Sequence, residues 1–138
     1  MKTAEAQNIL DACRDEANKM GKAVTIIVVD ASGAPVVLER LDGTAPMTTM
    51  VAEGKAAGAA FTGRDSALLK AMAENNPAIA AAVATRLGGK FMPVQGAVVL
   101  KKGGVVVGAV GVSGATSEED EQIARVGANV VGGGENVS

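Results

Sequence analysis

A chain of 138 residues with 48% hydrophobic and 20% charged side chains has the balance of one folded domain. Its net charge of −2, with the signs interspersed, supplies no basic stripe, so neither nucleic acid nor an anionic membrane surface is an expected partner. The absence of histidine excludes Ser-His-Asp and Cys-His catalysis, histidine-held zinc and proximal-histidine haem, and leaves acid–base work to Asp, Glu, Lys or a thiol.

In chain order, Ala6, Ile9, Leu10, Cys13, Ala17 and Met20 trace one stripe of a first helix, and Gly21 stands where a left-handed cap would end it. Cys13, the only cysteine, lies on that stripe and reads as a buried, inert thiol. A lone cysteine can form neither an intrachain disulfide nor a cysteine zinc cage. This first segment carries charges throughout and has no apolar signal core, and no run in the chain reaches the ~20 apolar residues that span a bilayer, so a cytoplasmic protein is expected.

The β-branched run 23–29, the turn Asp30-Ala31-Ser32-Gly33 and the run 35–40 predict an antiparallel hairpin. Asp30 suits a turn because it tolerates left-handed geometry and bonds nearby amides. Arg40-Leu41-Asp42-Gly43 leaves the hairpin, and Thr44-Ala45-Pro46 leads into a helix over 47–61. Gly54 and Gly58, four apart, give that helix a small face for close packing against the sheet or another subunit. Lys55 beside them reads as a solvated lysine.

Asp65 or Ser66 can cap a helix to about 74, Asn76-Pro77 opens another through 87, and Gly88-Gly89 stops it. Residues 90–94 are expected as a short edge strand, where Pro93 would be tolerated. Residues 95–101 and 105–112 pair through the Lys102-Gly103-Gly104 turn. The second of these, studded with Gly108 and Gly111, has the character of a central strand closely approached by another element. Ser113-Gly114-Ala115-Thr116 breaks it, and Ser117 with Asp120 three residues on resembles a capping box opening a last helix. Ile123, Ala124, Gly127, Val130 and Val131 give that helix a small apolar face. The pattern predicts an α+β domain over 1–131, with a five-stranded, largely antiparallel sheet, and a flexible tail over 132–138.

With two Phe and no Trp or Tyr, the core must be built of Ala, Val, Ile, Leu and Met. At about 25 cal/mol per Å² of apolar surface, such residues gain little each, so self-association is expected to add burial. The alanine-rich segment 78–84, with Gly54 and Gly58, is the candidate surface.

Chemistry has few places to reside. The Gly108, Gly111, Gly114 spacing lacks both the GxGxxG pattern and a βαβ setting, so close strand packing is its better account. Glu118 and Glu121 read as a solvated acidic helix start, and no metal site is expected. A pocket is expected beside Ser113-Gly114-Ala115-Thr116, near Arg40, because strand ends and helix starts gather amides and hydroxyls while Gly111 and Gly114 leave room. Ser113, Gly114, Gly111 and Thr116 are the candidate ligand-binding residues.

The motif GAVGVSGATSEEDEQIARVGA, with Val28-Val29-Asp30-Ala31-Ser32-Gly33, Glu39-Arg40-Leu41-Asp42-Gly43 and Lys55-Ala56 in the same order, resembles the GlcG and HbpS-like haem-binding family, relatives of the PduO C-terminal domain. The resemblance implies a profilin-like fold of α/β/α layers, a haem or small-molecule ligand, and a symmetric homo-oligomer, often an octamer. It also singles out Arg40, Asp42 and Lys55 as matching recurrent family positions. One departure is visible: Gln95-Gly96-Ala97-Val98 stands where the family carries Gly-Gly-x-Pro. Haem is expected to bind weakly, since without His or Tyr the axial candidates are Met, Cys13, a Lys or Thr62. An alternative is an enzyme acting on a small polar carboxylate, with Lys55 as base or Schiff-base nucleophile, Arg40 holding the carboxylate and Asp42 orienting the cation. A third reading is a structural oligomer without a ligand.

Overall fold

A computed structural model, describing residues 1–131, gives the order α1 (Thr3–Met20), β1 (Thr25–Asp30), β2 (Pro35–Arg40), α2 (Met47–Thr62), α3 (Ser66–Asn75), α4 (Pro77–Arg86), β3 (Ala97–Lys102), β4 (Val105–Ser113) and α5 (Ser117–Ala128). The expected tail over 132–138 lies outside the described residues. The strands form one antiparallel sheet in the order β2-β1-β4-β3. β1 and β4 are therefore central and need cover on both faces, which explains their unbroken apolar runs.

Alternation sorts those runs. Ile26 and Val28 of β1, with Val110 and Val112 of β4, turn to the layer formed by α1 and α5, where Ile9, Leu10, Cys13 and Ile123 complete a large core. Ile27 and Val29, with Ala109 of β4, turn the other way to meet Ala52, Ala56, Ala59 and Ala60 of α2. Helices thus cover both faces. The α1 stripe forms as its spacing predicts, and Gly21 closes it at φ 66°, its amide reaching the carbonyls of Ala17 and Asn18.

The sheet has four strands and not five. Residues 90–94 form no strand. Pro93 lacks the N–H that a ladder needs, and the local amides are taken up in short turns, Phe91 to Gly89 and Val94 to Met92. Phe91 and Met92 lie instead on the glycine face of α2. A Cβ on Gly54 would stand 3.0 Å from the Met92 Cβ, and one on Gly58 would stand 2.8 Å from the Phe91 ring. Gly54 and Gly58 are consequently occupied within the chain and are not open for another subunit.

The alanine-rich helix behaves differently. None of the residues of α4 is buried, although the helix is nearly all apolar; Ile79 within it is exposed, as are Leu68 and Phe61 earlier in the chain. Among the described residues no helix is long and apolar enough to cross a membrane.

Candidate functional site

β4 delivers the chain into Ser113-Gly114-Ala115-Thr116, and the turn is tight for a steric reason. Gly114 sits at φ 132°, where a Cβ would be 2.8 Å from the Ala23 carbonyl oxygen and 3.1 Å from the Val24 Cα. The helix start is capped one residue earlier than expected. Thr116, not Ser117, accepts from the Glu119 amide at 3.2 Å, and the Glu119 carboxylate accepts from the Thr116 amide at 3.1 Å. These local bonds hold the Glu119 carboxylate below its ordinary range.

The shift of register frees Asp120 for another task. One of its oxygens accepts from the Ala115 amide at 2.9 Å, and the other accepts from Lys55 Nζ at 3.1 Å. Lys55 Nζ also donates to the Val112 carbonyl at 2.9 Å. Lys55 and Asp120 are only 3% and 2% exposed, so the solvated lysine expected from the sequence is in fact half of a buried ion pair. Burial raises the Asp120 pKa, against the opposing pull of the Lys55 charge.

The pair joins α2 on one face of the sheet to α5 on the other. Lys55 reaches its partner at the open end of the β3–β4 pairing, where Gly96 at φ 140° supplies its carbonyl to the Val112 amide. A Cβ on Gly96 would lie 2.6 Å from Nζ and 2.8 Å from the Val112 oxygen. Glycine there is the passage for the lysine. The network therefore fixes the residue entering the turn, Val112, and the residue within it, Ala115.

The other candidates are placed separately. Arg40 ends β2 opposite Thr25, and it and Asp42 are exposed. Among the described residues no ion pair joins either to Lys55, whose ionic partner is Asp120. Ser113 is buried at the strand end. Gly111 lies under α2, where a Cβ would be 2.5 Å from the Ala52 carbonyl oxygen, so the space it leaves is filled by the helix and not available to a ligand.

None of Gly111, Ser113, Gly114 and Thr116 lines a described concavity; the groove nearest in contact, about 350 Å³, touches the turn only through Ala23 and is lined by Arg14, Asn18, Lys22, Leu41 and Asp42. Arg14 bonds Asp11 at 2.9 Å and Glu39 at 2.8 Å, and Lys22 pairs with Glu119 at 3.4 Å. Glu119 thereby links the capped turn to the groove wall. Among the described residues Asp42 is the lining charge without an ion-pair partner; the sequence singled it out only for a role beside Lys55 and Arg40, and passed over Arg14, Asn18 and Lys22. Arg14 and Asn18 stand off the apolar stripe of α1 and Lys22 follows its Gly21 cap, so no pattern marked them.

The donor set is compatible with haem only through soft, weak ligands. Burial pushes the Cys13 thiol up to about 12 and leaves it fully enclosed, and the Thr62 hydroxyl is spent on the Gly58 carbonyl at 2.8 Å. Lys55 is committed to Asp120. Met1, Met47 and Met50 remain as exposed thioethers, the last two 63% and 61% exposed on the first turns of α2.

A four-stranded antiparallel sheet between two helix layers, closed by a strand, a glycine turn and an acidic helix start, defines a small α+β domain of profilin-like layering. The chain belongs to the HbpS-like family: the model described as haem degrading protein HbpS-like matches residues 1–129. Its structure is similar to that of a double mutant of HbpS from Streptomyces reticuli, at 28% identity and a TM-score of 0.85, covering 96% of this chain and 87% of that one. It also shares its fold with ORFY of Klebsiella pneumoniae, at 22% identity and a TM-score of 0.84 over 94% of this chain and 88% of that one. A further fold match, at 23% identity and a TM-score of 0.83 over 95% and 94% of the two chains, is a complex of PduOC with heme. No curated protein matches the chain.

Proposed function

We propose that this chain is a cytoplasmic binding protein for a haem-type or other small polar ligand, held in the groove beside the Ser113-Gly114-Ala115-Thr116 turn and working as a homo-oligomer. The observation that carries the reading is the groove itself, about 350 Å³ and lined by Arg14, Asn18, Lys22, Leu41 and Asp42, against a turn locked by the buried Lys55–Asp120 pair. Membership of a family described as haem degrading supports haem as the ligand to test first. Its propionates would seek Arg14 and Lys22, and Leu41 would meet its apolar edge.

The groove is at the small end of the ~300–1,000 Å³ that small-molecule sites occupy, so it suits one edge of a macrocycle better than the whole. Iron gains little here, since neither a methionine nor the cysteine lines the groove, and binding should be weak. Haem supplies its redox chemistry when bound; these residues bind and orient it. The exposed apolar helix α4 supports self-association, with a second copy as its cover.

Haem titration followed at the Soret band tests the ligand. A saturable shift, weakened in an Arg14→Gln, Lys22→Gln variant, is the expected result, and no spectral response at excess haem would defeat the haem reading. Light scattering tests assembly, and a monomer at micromolar concentration would remove the oligomer.

A further inference from the structure

A second concavity, of about 250 Å³, opens at the opposite end of α2 from Met47, between the β1–β2 turn and the end of α4. Ser32 and Gly33 form one wall, Ala57 the floor, and Arg86, Leu87 and Lys90 the other wall. We propose that it is a binding site for a small monocarboxylate with a short apolar body, in which Arg86 holds the carboxylate.

Charge separates this cavity from the other described concavities. The groove beside the glycine turn includes Asp42, and the two at the start of α1 include Glu5, whereas this one is lined by two cations and no acid. The nearby acids are engaged. Glu53 pairs with Lys90 at 3.4 Å, and the Asp30 carboxylate accepts from the Ser32 amide, the Ser32 hydroxyl and the Ala34 amide. Lys90 is therefore already paired, while among the described residues Arg86 has no carboxylate partner.

What positions Arg86 is a ring. Its guanidinium carbon lies 5.8 Å from the centroid of Phe61, over the face, a cation–π contact that biases where the side chain rests. A planar carboxylate matches that fork with two parallel hydrogen bonds. The remaining walls decide what the carboxylate is attached to. Ala57 and Leu87 are apolar, and Gly33 at φ 85° packs onto Ala57 without a side chain, so a short aliphatic tail finds contact there.

Amide chemical shifts of the full chain in a butyrate titration test the site, with butanol, butylamine and inorganic phosphate as separate probes. Saturable shifts confined to Gly33, Ala57, Leu87 and Lys90, given by butyrate and by neither butanol nor butylamine, are expected. Arg86→Gln should weaken butyrate by about tenfold or more, the loss expected for a charged hydrogen bond, and Arg86→Lys should restore only part. Lys90→Gln should change affinity little. Shifts that never saturate, that survive Arg86→Gln, or that phosphate reproduces equally would overturn the proposal. The exposed position of Arg86 makes loss of folding a poor excuse for a negative result, and thermal unfolding of each variant checks it.

Discussion

The two faces of the sheet are built on opposite principles. Towards α1 and α5 the contacts are made by Ile9, Leu10, Ile26, Val28, Leu100, Val110, Val112 and Ile123, each fully buried side chain of this size contributing roughly 1.5–3 kcal/mol. Towards α2 they are made mainly by alanines and by Gly111, with Ile27 and Val29 as the large exceptions. The second face gains less from each residue and depends more on close approach. It is also the face whose helix is fastened by a buried charge pair to the layer beyond. Close packing with little area needs a fixed geometry, and Lys55 with Asp120 supplies one that runs straight into the candidate ligand turn.

The most severe break in this contrast is removal of one member of the pair. Lys55→Ala or Asp120→Ala should cost about 3–5 kcal/mol in urea unfolding, because the remaining charge is left buried alone. Lys55→Met combined with Asp120→Leu should recover much of that loss, though the Ala115 amide would still lack its acceptor. Singles costing under about 1 kcal/mol would mean that the second face needs no such fastening.

Packing comes next in size. Gly111→Ala places a methyl against the Ala52 backbone oxygen and should cost about 1–3 kcal/mol, whereas Ile26→Val on the opposite face should cost only about 0.5–1.5 kcal/mol. Equal costs would erase the distinction between the faces. Smaller again, Thr116→Ala removes the side-chain cap of α5 and should cost about 1 kcal/mol by thermal melting.

Acid should separate two carboxylates. Asp30, held below its ordinary 3.8 chiefly by the Ser32 hydroxyl, contributes stability above that value which is lost as pH falls through its lower folded pKa. Asp120 has its folded pKa raised by burial, so its titration favours folding as pH falls through that value towards 3.8 and opposes folding as pH rises again. Asp120→Asn should therefore flatten the stability profile above about pH 4, and Asp30→Asn should flatten it below. An unchanged profile in Asp120→Asn would show that the carboxylate titrates alike folded and unfolded.

The helices, the two hairpins and the glycine stops were legible in the sequence because each rests on local chemistry: the α1 stripe, Pro77 at the start of α4, the left-handed Gly21, and the Gly103-Gly104 turn at φ 56° and 78°. The motifs also carried the family. The burial of Lys55 was misread as solvation, because α2 is buried continuously from Gly54 to Ala60 and its periodicity offers no polar face to contrast with a buried one. Its partner was not legible either, because Asp120 lies 65 residues away and belongs to a helix on the other face. Only the tertiary structure could decide that residues 90–94 cover α2 and do not extend the sheet, that the ionic partner of Lys55 is Asp120, and that Arg14 and Lys22 flank the groove. Local propensity fixes which segments coil or extend, whereas the meeting of side chains from distant segments depends on how the layers close over one another.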